Sequence, residues 1–296
     1  MLFLLGEALE PFFGPFRLFA SRLFLIVSGT LVSFLLTFLL IPRAFAWLPS
    51  DRGRSFAVDG QVAKGTPTGA GVVFISVFAV IAVLVVPWGW RQLAVVVLAF
   101  AAMLTGYLDD RSENPWSEYL KGVLDLGISL GAALLLYIGP QHTFWLPFTT
   151  APIDVSIYVF VPVATLLIWV SINSTNCTDG VDGLSSTLVL LALVSLGAFL
   201  YLVVGVTEIS EYFLLPFYPE SASWAIMLFT LVGSLAGYLW YNAHPSVVLM
   251  GDAGSRALGF MIGVAIILTG NPFMILLSST VILVNGGTGL LKVALL

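Results

Sequence analysis

The sequence consists largely of long apolar runs separated by short polar segments, and this pattern limits most strongly what the chain can fold into. A helix that crosses a bilayer needs about 20 mostly apolar residues. Runs of roughly that length occupy residues 23–48, 69–88, 92–108, 120–138, 157–172, 184–204, 223–241, 256–270 and 273–295. Because a spanning helix satisfies its own backbone hydrogen bonds, we expect an all-α polytopic integral membrane protein with about nine transmembrane helices.

Composition supports this class and argues against others. The chain is 59% hydrophobic and 9% charged, whereas soluble domains are about 45–50% apolar and about 25% charged. The apolar runs are continuous rather than alternating, which argues against a transmembrane β-barrel. The net charge of −5 gives no indication of nucleic-acid binding. We therefore expect one transmembrane domain over residues 1–296, with residues 2–20 as an interfacial segment before the first span.

The distribution of Lys and Arg predicts the orientation of the chain, since these residues accumulate on the cytoplasmic side of membrane proteins. With the N-terminus outside, the inside segments contain eight basic residues and the outside connections contain three. The inside residues are Arg43, Arg52, Arg54, Lys64, Arg111, Lys121, Arg256 and Lys292, and the outside residues are Arg17, Arg22 and Arg91. The segment 139–156 contains neither Lys nor Arg, and we expect it to form a short outside hairpin or loop.

This orientation places five aspartates on the cytoplasmic side: Asp109, Asp110, Asp179, Asp182 and Asp252. Each lies at or next to the end of an apolar run, where ionisable groups are costly and usually functional. If these helix ends are neighbours, the carboxylates repel one another unless they protonate or bind cations. A divalent cation with oxygen ligands, together with lysine partners, removes this repulsion. We therefore expect a cytoplasmic active site at the helix ends.

The segment 173–184 carries the densest set of polar groups. Asn176, Asp179 and Asp182 are three residues apart, which on a helix would place them on one face. Gly180 and Gly183 instead favour an irregular backbone that approaches a ligand closely. The alternative interpretation is that Asp179 or Asp182 caps the helix that follows. The Asp109-Asp110 pair has a similar alternative, a solvated helix end.

Two further segments suggest contacts with phosphate. In residues 64–71, Lys64 supplies charge and Thr66 lies among glycines and hydroxyls able to surround a phosphate; the alternative is helix initiation, with the glycines used for packing. Residues 250–255 read Met-Gly-Asp-Ala-Gly-Ser before an apolar run, a form suited to anion binding by helix N-terminal amides. The alternative there is an ordinary capped loop. Lys121 either pairs with Asp125 four residues later or faces the site.

Three of these segments occur in the order and at the spacings of the polyprenyl-phosphate N-acetylhexosamine-1-phosphate transferase superfamily. They are residues 108–110, 176–184 and 250–255. The Gly-Thr-Pro-Thr-Gly form at 65–69, the Thr-Asp-Gly form at 178–180 and Trp-Tyr-Asn at 240–242 resemble the phospho-N-acetylmuramoyl-pentapeptide transferase branch (MraY type). The resemblance runs from about residue 20 to the end.

The resemblance implies an activity. Members of this branch transfer phospho-N-acetylmuramoyl-pentapeptide from its UDP-linked donor to undecaprenyl phosphate, giving lipid I for peptidoglycan biosynthesis and UMP. The resemblance also implies dependence on Mg²⁺, ten spans with both ends outside, and a cytoplasmic active site in the bacterial inner membrane. It implies a homodimer as one oligomeric state found in the family, and no nucleic-acid partner.

The resemblance also implies residue roles by motif position. Asp252 resembles the Mg²⁺ ligand, with Asp109 and Asp179 as further expected metal ligands. Asp109, Asp110 and Asp252 are the expected catalytic residues, one of the adjacent pair acting as base on the lipid phosphate. The expected substrate-binding residues are Lys64, Thr66, Lys121, Asn176, Asp179, Asp182, Asn242 and Gly251.

The sequence departs from the family pattern at three places, the first being Gly69-Ala70 where the family usually has Met-Gly. Leu249 stands where the family usually has a Phe that stacks on uracil. The family's His-rich loop and tenth span have no counterpart before Leu296, so we expect this chain to be a partial version. Two alternatives remain: a UDP-N-acetylglucosamine–undecaprenyl-phosphate transferase, and a cation-coupled transporter. The clustering of acids at one face rather than near the midplane argues against the transporter.

Overall fold

The computed structural model describes residues 1–51, 64–87, 89–114, 116–139, 143–146 and 152–295, with side chains up to residue 289. Within these residues the fold is a bundle of helices. They are α1 (Leu2–Leu9), α2 (Arg22–Ala44), α3 (Gly71–Val85), α4 (Trp90–Arg111), α5 (Glu118–Tyr137), α6 (Ile157–Thr178), α7 (Leu184–Ala198), α8 (Thr207–Tyr212), α9 (Ser221–Asn242), α10 (Gly251–Leu268), α11 (Met274–Ser278) and α12 (Thr280–Leu295).

Three smaller elements complete the described chain. A 3-10 helix, Gly14–Ala20, lies between α1 and α2, within the segment expected before the first span. A π-helical turn, Phe199–Val203, continues α7. Strands β1 (Thr143–Phe144) and β2 (Ile153–Asp154) pair antiparallel, as expected for the predicted outside hairpin.

Seven helices in the described part of the chain are long and apolar enough to cross a membrane: α2, α4, α5, α6, α7 with its π-helical turn, α9 and α10. This confirms a polytopic α-helical membrane protein. Helices also occupy the other two predicted spans, but α3 has 15 residues and α12 has 16. The helices α4 and α10 are longer than the apolar runs that predicted them, because the polar residues at the ends of those runs remain helical.

Helix α10 is the centre of the bundle. Every one of its residues except Asp252 is buried, and α3, α4, α6 and α7 pack around it. Small residues allow helix backbones to approach closely in membranes. At Gly71 of α3 and Gly106 of α4, a Cβ atom would overlap the backbone at the start of α10. The first turn of α10 is therefore held tightly between α3 and α4.

Helix α2 packs extensively on α9 and turns its other face outward. That outer face carries exposed apolar residues four positions apart, which lie in one row along a helix. They are Leu23, Val27, Leu31, Leu35 and Leu39. An apolar row of this kind is unfavourable in water and suits contact with lipid.

One basic residue does not lie where the charge distribution predicted it. Arg256 was expected in a cytoplasmic connection, but it is fully buried inside α10. Its charge is neutralised in the protein interior by Asp125 of α5, so it carries no information about orientation. Arg52, Arg54 and the side chain of Lys292 lie outside the described residues.

Candidate active site

Three helix ends meet at the ammonium group of Lys121. Lys121 lies in the first turn of α5, and its Nζ is 2.9 Å from Oδ2 of Asp109 and 3.1 Å from Oδ2 of Asp252. Asp109 is near the end of α4, and Asp252 lies in the first turn of α10. A third carboxylate, that of the exposed Glu118, is 3.2 Å from the same nitrogen. Of the two alternatives open for Lys121, the structure selects the one in which it faces the site.

Asp110 binds the start of α10 through the backbone. Its Oδ1 accepts the N–H of Asp252 and its Oδ2 accepts the N–H of Ala253, both at 3.1 Å. The first amides of a helix have no partner within the helix, and a negative charge there is favourable. Gly251 has φ +67°, and a Cβ atom at this position would overlap the Asp110 carboxylate. The close contact therefore requires glycine at position 251.

The segment that contains Thr66 pairs with the chain that enters α10. Leu249 donates its N–H to the carbonyl of Pro67 at 2.8 Å and accepts the N–H of Ala70 at 3.1 Å. The predicted phosphate segment and the predicted Gly-Asp segment are thus neighbours. Thr66 is half-buried next to Pro67, and Lys64 is exposed in the turn that precedes them. Leu249, where the family usually has Phe, is buried.

Asn176 joins α6 to the same end of α10. Its Oδ1 accepts a hydrogen bond from the hydroxyl of Ser255 at 3.0 Å. Helix α6 extends to Thr178, six residues past the predicted end, so Asn176 is helical. Asp179 is the C-cap residue of α6 and is half-buried. The irregular backbone expected from the glycines is therefore confined to the turn 179–183.

The interpretation of Asp179 or Asp182 as the cap of α7 is wrong. The N-cap residue is Gly183, with φ +69°, and it makes no side-chain capping bond. Its left-handed backbone suits glycine better than aspartate. Its N–H donates instead to Oδ1 of Asn242 at 3.2 Å.

Asn242 and Asp182 form a neighbouring group that holds the loop 243–250. The Asn242 side chain also accepts the Ser186 hydroxyl at 2.7 Å and donates to the carbonyl of Val248 at 3.1 Å. Asp182 accepts the N–H and the hydroxyl of Ser246 at 3.1 and 2.6 Å. His244 Nδ1 is 3.2 Å from the same carboxylate. The loop that leads into Asp252 is thus bonded to the turn 179–183.

The ionised form of Asp182 is stabilised in this group. Partial burial acts to raise the pKa of Asp182, but the hydrogen bonds from Ser246 and the contact with His244 outweigh burial and hold the pKa below its usual value. A carboxylate that accepts several hydrogen bonds behaves in this way. Asp182 therefore remains charged at neutral pH, as a residue that binds polar partners must.

Eight of the eleven expected site residues fall into two adjoining groups at one end of the bundle. The first contains Asp109, Asp110, Lys121, Asn176, Gly251 and Asp252, and the second contains Asp182 and Asn242. The residues that the sequence analysis missed are Glu118 and three serines: Ser186, Ser246 and Ser255. A serine in an apolar sequence is a weak indicator of function, because its hydroxyl can form a hydrogen bond within its own helix.

The carboxylates fit Mg²⁺ in chemistry. Within the described residues, no group of three or more His, Cys, Asp or Glu side chains is arranged to hold a metal ion. Mg²⁺, however, is commonly bound by only one or two carboxylates together with substrate phosphates and water. Asp109 and Asp252 converge on one cation, the Lys121 ammonium. They are therefore suited to contribute oxygens to such a site.

Comparison with known proteins identifies the class. The family model described as glycosyl transferase family 4 matches residues 92–270, which include Asp109, Asp110, Lys121 and Asp252. The chain is thus a membrane-embedded member of this transferase class.

Individual relatives narrow the class. The chain is 50% identical over 291 residues to a protein of Treponema pallidum (strain Nichols), covering 97% of this chain and 80% of the relative. It is 32% identical over 279 residues to a protein of Helicobacter pylori (strain HPAG1), covering 90% and 78%. It is 28% identical over 275 residues to a protein of Nautilia profundicola, covering 88% and 78%. All three relatives are named phospho-N-acetylmuramoyl-pentapeptide-transferase. The chain belongs to the family of phospho-N-acetylmuramoyl-pentapeptide transferases.

Proposed function

We propose that this protein transfers phospho-N-acetylmuramoyl-pentapeptide from its UDP-linked donor to undecaprenyl phosphate, giving lipid I and UMP. The observation that carries this proposal is the convergence of Asp109 and Asp252 on Lys121 beside the N-terminus of α10. Phosphoryl transfer depends mainly on positioning and on charge neutralisation. A cation and a helix N-terminus next to two carboxylates provide both signs of charge for this task.

The reaction we propose is a direct displacement. A phosphate oxygen of the lipid attacks the β-phosphorus of the donor, and the bond from that phosphorus to the bridging oxygen breaks, so that UMP leaves with the bridging oxygen. Asp109 or Asp110 acts as base on the lipid phosphate. Lys64, Thr66 and Lys121 serve the phosphates, while Asn176, Asp179, Asp182, Asn242 and Gly251 serve the nucleotide-sugar. A phosphorylated Asp109 or Asp110 trapped during turnover would contradict direct displacement.

We further propose that Mg²⁺ is the cofactor, with Asp252 and Asp109 as ligands and Asp179 as a third. Bound there, the ion would neutralise phosphate charge that develops in the transition state. Lys121 already touches two of these carboxylates, so it is placed to share them with the ion. Chelation of divalent cations should abolish transfer, and added Mg²⁺ should restore it.

The finer membrane arrangement also belongs to the proposal. Nine of the described helices would cross the bilayer if α3 and α12 do so in addition to the seven longer ones. The site would face the cytoplasm in a bacterial inner membrane, since Arg43, Lys64 and Arg111 lie on that side of the predicted topology. This placement lets the lipid phosphate arrive from the inner leaflet and the donor from the cytoplasm. A homodimer remains a prediction from the family resemblance.

The deciding experiment compares donors with purified protein in lipid bilayers. Undecaprenyl phosphate and Mg²⁺ are supplied with either UDP-N-acetylmuramoyl-pentapeptide or UDP-N-acetylglucosamine, and the lipid product and UMP are quantified. We expect product only from the pentapeptide donor. Product only from UDP-N-acetylglucosamine would establish the alternative transferase, and Mg²⁺-independent ion flux without any lipid product would favour a transporter.

A further inference from the structure

A second buried ion pair lies next to the Lys121 contacts, deeper in the bundle. Arg256 of α10 donates from Nε at 3.0 Å and from Nη2 at 2.6 Å to Oδ1 of Asp125 on α5. Arg256 is fully buried and Asp125 is 2% exposed. Nη1 of Arg256 has no hydrogen-bond partner among the described residues. A buried ion pair of this kind contributes little net stability compared with apolar residues, so its presence calls for another explanation.

The pair repeats the geometry of the site one turn further along both helices. Lys121 and Asp125 are four residues apart on α5, and Asp252 and Arg256 are four apart on α10. Residues at this spacing share a helix face. Two pairs thus connect the helices: Lys121 with Asp252, and Asp125 with Arg256.

The same spacing permits a different pairing within each helix. Lys121 could bind Asp125 on α5, and Asp252 could bind Arg256 on α10, because opposite charges at this spacing attract. The structure contains the pairs between helices, Lys121 with Asp252 and Arg256 with Asp125, and Lys121 therefore points to the site.

Removing Arg256 would disturb this arrangement in a definite direction. Asp125 would become a buried carboxylate without a partner, which is strongly unfavourable. Lys121 is the cation four residues away on the same helix. It would turn toward Asp125 and away from Asp109 and Asp252.

We propose that Arg256 is a positioning residue, which by binding Asp125 keeps the ammonium group of Lys121 directed at Asp109 and Asp252. Arg256 itself touches neither substrate nor metal in this proposal; it acts only through Asp125 and Lys121. The catalytic part of this inference rests on the proposed function.

The first test measures the transfer rates of four proteins. They are the parent, Arg256→Met, Arg256→Lys and a double variant that carries both Asp125→Leu and Arg256→Met. We expect Arg256→Met to lower kcat roughly tenfold or more, as loss of a supporting partner commonly does. Arg256→Lys should retain most activity because it keeps the charge. The double variant should recover most of the loss, since Lys121 then has no competing carboxylate. Full activity in Arg256→Met, or a folded double variant as impaired as the single one, would overturn the proposal.

The matched control is another ion pair between helices, Arg91 with Glu220. Arg91 lies in the first turn of α4, at the end of that helix opposite to Asp109, and Glu220 is the N-cap residue of α9. Arg91→Met removes a largely buried cation without affecting Lys121. It should leave kcat unchanged even if the thermal midpoint falls. An equal loss of kcat in Arg91→Met and Arg256→Met would show that the effect is general destabilisation, against the proposal.

A second test does not require turnover. It measures thermal unfolding of Lys121→Met, Asp125→Leu and the variant with both substitutions. Each is made once in the parent and once in Arg256→Met. The double-mutant cycle gives the interaction between Lys121 and Asp125 in each background. We expect a clear favourable coupling only when Arg256 is absent. The same coupling in both backgrounds would overturn the proposal.

The two tests separate the possible failures. If the parent transfers no sugar phosphate to lipid but the coupling depends on Arg256, the proposed function fails and the control of Lys121 stands. If the parent is active and the coupling is independent of Arg256, the proposed function stands and this inference fails.

Discussion

The carboxylate of Asp110 accepts the backbone N–H of Asp252, and this contact links the end of α4 to the start of the most buried helix. The adjacent amide, that of Ala253, binds the other oxygen of Asp110. The acidic pair is thus divided: Asp110 bonds to the backbone of α10, whereas Asp109 contacts the side chain of Lys121. Two neighbouring aspartates therefore have different local tasks.

Asp110→Asn should destabilise the protein and lower transfer. An amide has one acceptor oxygen, so one of the two N–H groups would face an NH₂ group, and the favourable charge at the helix N-terminus would be lost. We expect a loss of about 1–3 kcal/mol. Thermal or denaturant unfolding in detergent measures it. Asp154→Asn in the exposed strand β2 is the control and should have no effect; equal stability of both variants would contradict the assigned contact.

Gly251→Ala should impair both folding and activity. The residue has φ +67° and a Cβ atom would overlap Asp110, and a left-handed backbone alone costs a non-glycine residue about 1–2 kcal/mol. The control is Gly127→Ala in α5, where a Cβ atom meets nothing within 4 Å. That substitution should be neutral or stabilising by up to about 1 kcal/mol. Comparison of thermal midpoints and transfer rates tests the prediction, and an active, stable Gly251→Ala would refute it.

Lys121→Met should nearly abolish transfer. The substitution removes the cation shared by Asp109 and Asp252, and loss of one charged group that stabilises a transition state commonly costs about 100-fold or more in kcat. Initial rates at saturating substrate give the measurement. Arg17→Gln, an exposed cation in the 3-10 helix, should retain the parent rate. A kcat of Lys121→Met within the error of the parent would remove Lys121 from the site.

Asp182 should make the stability of the protein dependent on pH. Its pKa is lower in the folded state than in the unfolded chain, because Ser246 and His244 favour the charged form. The stabilisation is therefore complete above the unfolded pKa, near 3.9, and is lost as the pH falls through the folded value. Thermal midpoints of the parent and Asp182→Asn should differ by a constant amount from pH 7 to about 5 and converge in stronger acid.

The control for this pH dependence is His244→Gln, which keeps both bonds from Ser246 to Asp182. The His244→Gln variant should still lose much of this stability as the pH falls. A constant difference between parent and Asp182→Asn down to the lowest pH at which the protein remains soluble would contradict the assignment.

The sequence predicted the class of fold and several of the aspartates that lie together at one end of the bundle, for a simple physical reason. Charged residues are rare in this chain, so Asp109, Asp110 and Asp252 stand out at the ends of apolar runs. What spacing alone could not decide was the choice between equivalent partners. Lys121 and Asp125 are four residues apart, and that spacing fits an ion pair as well as it fits separate partners on another helix. Only the packing of α5 on α10 distinguishes them.

Other features escaped prediction because the signals were local and ambiguous. Arg256 follows a polar segment and looked like part of a connection, yet the helix begins five residues earlier. The alternative in which Asp179 or Asp182 caps α7 failed because the cap is Gly183, which has a left-handed backbone. Ser186 and Ser246 complete the group around Asn242 and Asp182, and neither carries a charge that would mark it in an apolar sequence.

The glycines around the first turn of α10 limit how this region can evolve. Gly71, Gly106 and Gly251 lie so close to the opposing chain that no larger residue fits without moving the backbone. Substitution by larger side chains is therefore not tolerated at these three positions. Sequence change is less constrained in the loop 243–250, which is held in part by the side chains of Asp182 and Asn242. This part of the molecule can change while the charged centre stays in register.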